Sequence, residues 1–234
     1  MKFAVSILLL ILCGCNNSSD KLVIGTSGDN PPYEYIKDNQ VVGIDIDIIK
    51  SIAKVLDKEI EIKNMDFSML IPSLITGHVD LIIAGLNSTE ERRKNVDFSD
   101  VYFASPNLAI LFKKDKNLSM LNIKNKILGA QIGTTWSNIA HNLSNNVREL
   151  SSNLVLIEEL NIENIDALVL EQSQTLEFVK KYSNLTYFII DQSSDFVIAL
   201  AKNSKMTKEI NHAIRKLKEE KIIEKIKNEW IKKN

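Results

Sequence analysis

Apolar and polar positions alternate along this chain in two rhythms. Short apolar runs bounded by Gly, Pro, Asn and Asp read as strands: Lys21–Thr26, Leu81–Ala84, Leu108–Phe112, Ile127–Ala130, Leu154–Ile157, Ala167–Leu170, Tyr187–Ile190 and Phe196–Ala201. Glu59–Lys63 alternates charged and apolar residues, as a half-buried strand does. Between these runs the apolar residues recur at helical spacing. Asp45–Asp57 carries Ile48, Ile49, Ile52, Ala53, Val55 and Leu56, and Thr134–Leu143 and Gln172–Tyr182 are further helices. Two amphipathic helices close the chain, one through Ile210, Ala213, Ile214 and Leu217, the other through Ile222, Ile223, Ile226 and Trp230. Ser68 is placed to cap a helix that stops at Gly77, with Pro72 tolerable only in its first turn. Thr89 opens a short helix with Glu90 and Glu91 at its positive end.

Strand–helix alternation of this kind predicts an α/β architecture with largely parallel sheets. In such sheets ligands bind beyond the carboxyl ends of the strands, where loops and helix N-termini converge. The residues of interest are therefore expected in the loops at 25–33, 84–92, 131–136 and 170–172.

The first residues break the pattern. Lys2 precedes an uncharged apolar run from Phe3 to Leu12, about half the ~20 residues of a spanning helix. It reads as the core of a signal peptide. The run ends in Leu12-Cys13-Gly14-Cys15, followed by the polar stretch Asn16–Asp20. A small residue before a cysteine, directly after an apolar core, resembles a bacterial lipobox; this implies cleavage before Cys15 and acylation of its thiol. Positions 1–14 are thus expected to be a lipoprotein signal peptide and 15–20 a linker. No thiol but Cys15 would remain in the mature chain, which leaves no disulfide and no cysteine-ligated metal.

Composition narrows the function classes. Twenty-nine basic residues against 30 acidic ones give a net charge of −1, so nothing favours nucleic acid as a partner. No second apolar span, internal repeat or low-complexity tract follows, so a transporter core is excluded and the partners are other chains. His78, His141 and His212 lie far apart without metal-ligand spacing, and no metal or cofactor is expected. No Gly-x-Ser-x-Gly elbow or phosphate-binding Gly-rich loop occurs.

What the loops do contain suits a small zwitterion, which needs donors for a carboxylate, acceptors for an ammonium and a wall for its side chain. Arg92 offers a bidentate fork. Gly133-Thr134-Thr135-Trp136, at the start of a predicted helix, offers free N–H groups and a positive dipole end. Glu171, ending the Ala167–Leu170 strand, could accept from an ammonium, with Asn87 and the Gly85 carbonyl as further acceptors and Tyr33 and Phe67 as aromatic faces. Each alone has an ordinary explanation: a solvated arginine, a helix start, a helix cap.

Together these residues lie within motifs that resemble a family, the bacterial extracellular solute-binding proteins of family 3, amino-acid-binding subunits of ABC importers. The likeness runs from Lys21 to Trp230 through Gly25-Thr26-Ser27, Pro31-Pro32-Tyr33-Glu34-Tyr35, Gly43-Ile44-Asp45-Ile46-Asp47 and Met65-Asp66-Phe67-Ser68. Next come Leu70-Ile71-Pro72-Ser73-Leu74 and Gly77-His78-Val79-Asp80. The strongest stretch is Ala84–Lys94 with Val96–Asp100, and Gly133-Thr134-Thr135 and Ile165-Asp166-Ala167 complete the order.

The resemblance implies a two-lobed periplasmic-binding-protein-like fold of type II with two hinge crossovers, near Tyr102–Pro106 and Asp191–Asp195. Residues 21–104 would begin lobe one, 105–193 form lobe two, and 194–234 return to lobe one. It implies that Arg92 and the N–H groups of Thr134 and Thr135 hold the ligand carboxylate. Glu171 would receive the ammonium, Phe67 pack on the ligand and Gly85 contribute main-chain contacts. Ser27, Asn30, Tyr33, Asn87 and Gln131 would complete the pocket. The expected ligand is a free polar amino acid. The expected partner is a membrane permease, and the protein a monomer tethered to the cell envelope through Cys15. Asn30 replaces an aromatic wall, Ser27 an aspartate of some members, Asn87 a Thr or Ser, and Glu171 the usual aspartate; these departures leave the choice between glutamine, arginine and other polar side chains open. A periplasmic dehydratase on the same scaffold, with Glu171 as general acid, is the rival reading. A sensor ectodomain is another, though no membrane span follows Asn234.

Overall fold

The computed structural model describes residues 21–104, 107–190, 192 and 195–232. The signal peptide, the linker and Cys15 lie outside them, as do 105, 106, 191, 193 and 194 of the expected crossovers. The chain first forms β1 (Leu22–Thr26), β2 (Asp29–Asn30), β3 (Glu34–Lys37), β4 (Gln40–Val42), α1 (Ile44–Val55), β5 (Ile60–Asn64), α2 (Phe67–Ile75), β6 (Leu81–Ile82), α3 (Glu90–Arg93) and β7 (Val96–Phe98). It continues with β8 (Leu108–Lys113), β9 (Ile127–Gln131), α4 (Thr135–Leu143), β10 (Asn146–Leu150), α5 (Asn153–Asn161), β11 (Ala167–Glu171), α6 (Gln172–Lys181) and β12 (Leu185–Ile190). Last come β13 (Ala199–Ala201), α7 (Met206–Glu219) and α8 (Ile222–Lys232).

Two five-stranded sheets make two lobes, ordered β5-β1-β6-β13-β7 and β10-β9-β11-β8-β12. The chain passes between them twice, from β7 to β8 and from β12 back to β13. Both sheets are mixed, which corrects the largely parallel expectation. β1 runs parallel to β5 and β6, but β13 runs antiparallel to β6 and β7. β9 runs parallel to β10 and β11, but β8 runs antiparallel to β11 and β12. The reversed strands β8 and β13 are the first in each sheet after a passage between lobes. A strand arriving from the other lobe needs no helical crossover and so enters from the opposite end.

Strands of both sheets are covered on two faces, which is why they read as unbroken apolar runs. On β8 and β11, Ile110, Phe112, Ala167 and Val169 face α4 through Ala140, while Leu111, Leu168 and Leu170 meet Leu156, Leu160 and Phe178 of α5 and α6. In the first lobe Ile48, Ile49 and Ile52 of α1 pack with Ile210, Ile214 and Leu217 of α7. Leu70 and Leu74 of α2 cover the other face with Ile82, Ala84 and Val96.

Three local expectations are corrected. Leu154–Ile157 is not a strand but part of α5, where Leu156, Ile157 and Leu160 are buried at helical spacing and Leu154 and Val155 are half exposed. A four-residue apolar run does not distinguish the two, and the Ser152 hydroxyl, which accepts from Leu154 N, was the sign of a helix start. The cap of α2 is Asp66, not Ser68, so Pro72 sits in the second turn and removes the hydrogen bond that Ser68 C=O would accept. The expected loop at 25–33 contains β2, which joins β3 and β4 in a small antiparallel sheet.

Candidate ligand-binding site

The carboxyl ends of β1 and β6 face those of β9 and β11 across the junction between the lobes. A narrow cavity of about 20 Å³ lies there, lined from the first lobe by Ser27, Asn30, Phe67, Gly85, Asn87 and Arg92, and from the second by Gln131, Thr134, Thr135 and Glu171. Ten of the eleven residues expected from the sequence are thus brought together. Tyr33 is the exception: it is fully buried behind the wall, edge-on to Phe103 and Phe196, with its hydroxyl donating to Ser173 Oγ at 3.2 Å. Its ring is core, not ligand wall.

Arg92 is placed by α3, whose cap Thr89 accepts from the Arg92 amide at 3.1 Å. The guanidinium donates from Nη1 to Asn87 O and Asn87 Oδ1, both at 2.7 Å, and from Nη2 across the junction to Gly133 O at 2.9 Å. Its Cζ lies 5.6 Å from the centre of the Phe67 ring. Burial lowers its pKa to about 10, against the raising effect of Glu91. Asn87 also bridges the lobes, donating from Nδ2 to Thr135 Oγ1 at 2.8 Å.

The start of α4 differs in one respect from expectation. Thr134 N points back to Gln131 O at 3.3 Å, and its hydroxyl donates to Gln131 O at 2.6 Å while accepting from Ser137 N. The amide of Thr134 is therefore committed to the turn. Thr135 is the first residue of the helix, so its N–H belongs to the donors that the helix itself leaves over. Gly85 was expected to offer its carbonyl, not its amide. Its N–H is taken by Asp45 Oδ2 at 2.8 Å, and its φ of +52° with Asn30 Nδ2 3.1 Å from an ideal Cβ explains why glycine stands there.

Acidic groups dominate the cavity. Glu171 caps α6, with Oε2 accepting from Ser173 N at 3.2 Å, while Oε1 is buried without a protein partner. Burial raises its pKa to about 8 against the opposing effects of Ser173 and Tyr33. Glu34 and Asp29 also line the cavity and were missed, although Glu34 lies in the Pro-Pro-Tyr-Glu motif. Glu34 is buried, takes Asn30 Nδ2 on Oε1 at 3.1 Å, and is held well above the ordinary carboxylate range by burial and by Asp45. Behind it Asp45, buried too, is raised to about 6 and accepts from Gly85 N and the Tyr102 hydroxyl. Glu34 Oε2 and Asp45 Oδ1 are buried without a hydrogen-bond partner, and both carboxyls are raised chiefly by that burial. Trp136, Gln174, Phe196 and Asn153 also line the space; Asn153 was hidden because its helix had been read as a strand. Glu34 and Glu171 each keep a buried oxygen without a partner, and these two acids stand against one arginine. Such a cavity stabilises incoming positive charge, since a cation would offset the cost of ionising the buried acids.

No group of three or more His, Cys, Asp or Glu side chains with metal-binding geometry occurs among the described residues, and no helix among them is long and apolar enough to cross a membrane. The sequence profile of the bacterial extracellular solute-binding proteins, family 3, matches residues 22–233. The arginine-binding extracellular protein ArtP of Bacillus subtilis is 33% identical over 235 aligned positions, covering 94% of this chain and 92% of that protein. The arginine-, lysine-, histidine-binding protein ArtJ of Geobacillus stearothermophilus superposes with a TM-score of 0.85 at 28% identity, covering 90% of this chain and 94% of that one. An ancestral arginine-binding protein bound to glutamine gives a TM-score of 0.85 at 34% identity, covering 90% and 97% of the two chains.

Proposed function

The chain belongs to the bacterial extracellular solute-binding proteins, family 3, and from that footing we propose that it captures a free amino acid with a cationic side chain, arginine foremost, for an ABC importer. The observation that carries this reading is the excess of buried acids over Arg92 in the cavity. In the proposed pose Arg92 exchanges its Asn87 and Gly133 contacts for the ligand carboxylate, helped by the Thr135 N–H and the positive end of α4. The free Oε1 of Glu171 receives the α-ammonium. The distal cation reaches toward Glu34, where Asn30 in place of an aromatic residue leaves a polar path. Of the relatives reported above, one is named for arginine and one for arginine, lysine and histidine, in agreement with this chemistry, while the ancestral arginine-binding protein holds glutamine.

Calorimetry of the chain from Lys21 onward, which carries every element described, against the twenty amino acids tests the proposal. Arginine is expected to bind most tightly, with lysine and histidine next. A tightest ligand that is neutral or acidic overturns it.

Further elements of the reading follow the sequence. The lobes are divided at 104/105 and 193/194, the protein acts as a monomer, and a permease reads the closed form. Export and acylation at Cys15 tether it to the envelope. A Cys15→Ser chain should take up no radioactive palmitate and leave the membrane fraction; continued labelling refutes the anchor. The relatives reported are named for binding, not dehydration, and we favour capture. Incubation with prephenate is accordingly expected to give no phenylpyruvate absorbance.

A further inference from the structure

Among the described residues four sets of hydrogen bonds cross the junction between the lobes, and three of them use groups that belong to the proposed ligand site or adjoin it: Arg92 with Gly133, Asn87 with Thr135, and Tyr33 with Ser173. The fourth is different. We propose that Asp29 is a closure clasp, a first-lobe residue that holds the second lobe without reading the ligand and so sets how long the closed form lasts.

Asp29 lies on β2, a segment tied to its own lobe by Gly28 N donating to Asn64 Oδ1 at 2.7 Å and by pairing with Tyr35. Three elements of the other lobe converge on it. Asn153 N, the first amide of α5, donates to Asp29 Oδ2 at 2.8 Å. Gln131 Nε2, at the end of β9, lies 3.0 Å from Oδ2 and 3.3 Å from Oδ1. Gln174 Nε2 of α6 donates to the Asp29 carbonyl at 3.1 Å. Within the first lobe, Ser27 Oγ donates to Oδ1 at 3.1 Å. Both carboxylate oxygens are therefore occupied by protein donors, although the residue borders the cavity.

The second lobe prepares these donors itself. Gln131 Nε2 also donates to Ser151 O at 2.9 Å, and Asn153 Nδ2 donates to Gln131 Oε1 at 3.1 Å. The carboxylate meets a rigid set of N–H groups at a nine-residue helix start, where hydrogen bonding and the helix dipole act in the same sense. Burial nevertheless holds the Asp29 pKa above its ordinary value despite the donors at Asn153, Ser27 and Gln131. Desolvation thus offsets part of what the donors contribute, which suits a lobe pair that must reopen to deliver its cargo.

The term closure rests on the capture reading above, and two measurements keep the two ideas separable. The first is ligand affinity and ranking. Asp29→Asn turns an acceptor into a donor facing Gln131 Nε2 and Asn153 N. Affinity should fall about tenfold, by the same factor for every amino acid that binds, with the loss in the dissociation rate. Where Asp29→Asn misfolds, position 153 offers a second route. Proline is tolerated at a first helical position, and Ser152 already has the extended backbone that a following proline requires (φ −123°, ψ 131°). Asn153→Pro deletes the N–H that Asp29 takes, whereas Asn153→Ala deletes only the side chain. The proline variant should bind several-fold more weakly than the alanine variant in the parent, and no more weakly once Asp29 is asparagine.

The second measurement is the distance between spin labels at Lys58 and Asn184, exposed positions of the two lobes. Without amino acid, Asp29→Asn should show a larger long-distance population than the parent. A changed ligand ranking makes Asp29 a ligand reader and overturns the proposal. Unchanged affinity with unchanged distances also overturns it. If the parent binds no amino acid at all, the capture reading fails while the distances still decide the clasp.

Discussion

With the α-ammonium placed on Glu171, as proposed above, ligand capture is linked to a proton. In the cavity its carboxyl is raised from 4.5 to about 8, mainly by burial. That gap, at about 1.4 kcal/mol per pKa unit, makes ionising it alone in the cavity cost about 5 kcal/mol. An ammonium placed against Oε1 supplies the counter-charge that burial withholds, so the liganded protein holds Glu171 ionised. Between pH 4.5 and about 8 the free cavity keeps a proton that the occupied cavity gives up. Affinity should therefore rise with pH through that window, by up to about tenfold per unit. The same raised pKa means that the folded, unoccupied protein is favoured at low pH and loses this contribution as pH rises toward 8; ligand restores it.

The assay is calorimetry at pH 6 with arginine in buffers of different ionisation enthalpy, which counts protons released on binding. Close to one proton should leave the parent. Glu34, Asp45, Asp29 and Tyr33 are the other titratable groups at this wall, and Glu34 can add to the count. Glu171→Gln isolates the residue in question. It should release about one proton fewer and show a flatter pH profile, with weaker binding at pH 7. Equal proton release by the parent and Glu171→Gln, or parent affinity that rises as pH falls from 7 to 5.5, refutes the linkage.

In the proposed pose Arg92 is the bidentate partner of the ligand carboxylate, so Arg92→Ala should cost about 2–5 kcal/mol of binding, roughly thirty- to several-thousand-fold in Kd by calorimetry. Arg92→Lys keeps the charge but loses the fork, and should fall between the two. Asn30→Phe removes the side-chain donor to Glu34 and adds an aromatic face, so a titration series over the amino acids should show a changed rank order. Gly85→Ala forces a φ of +52° on a residue with a Cβ, against Asn30 and Phe196; about 1–2 kcal/mol of strain should lower Tm by roughly 2–8 °C in a chain of this size.

Much of the fold was legible because each sheet is covered on both faces. β8 and β11 appear as unbroken apolar runs, and α1 shows its Ile48, Ile49, Ile52 stripe, since burial in these elements follows from residue type and period alone. The turn residues that place Arg92 and Thr134 were legible for a similar reason. Each cap is a hydroxyl that accepts from the amide three residues on, Thr89 from Arg92 N and Thr134 from Ser137 N. Where local signals were short or polar, legibility failed. Leu154–Ile157 is too brief to show whether its period is two or near four. β10 is an edge strand with hardly a buried side chain, and nothing in its composition separates it from a loop.

Ten cavity residues could be named from sequence because they stand at strand ends and helix starts, which an α/β chain brings to one side of its sheets. The roles of several could not. Whether the Gly85 and Thr134 amides are free, whether Tyr33 is wall or core, and which carboxylates are buried all depend on partners supplied by distant segments. Asp29 meets Gln131, Asn153 and Gln174 across 102, 124 and 145 residues of chain. The chain by itself determined the elements, their buried faces and the kind of groups collected at the junction, because period, capping and polarity act over a few residues. Only the packing of one lobe against the other decided the protonation, commitment and charge balance of those groups. Desolvation and hydrogen bonding at a junction are properties of both surfaces at once, and no segment carries them alone.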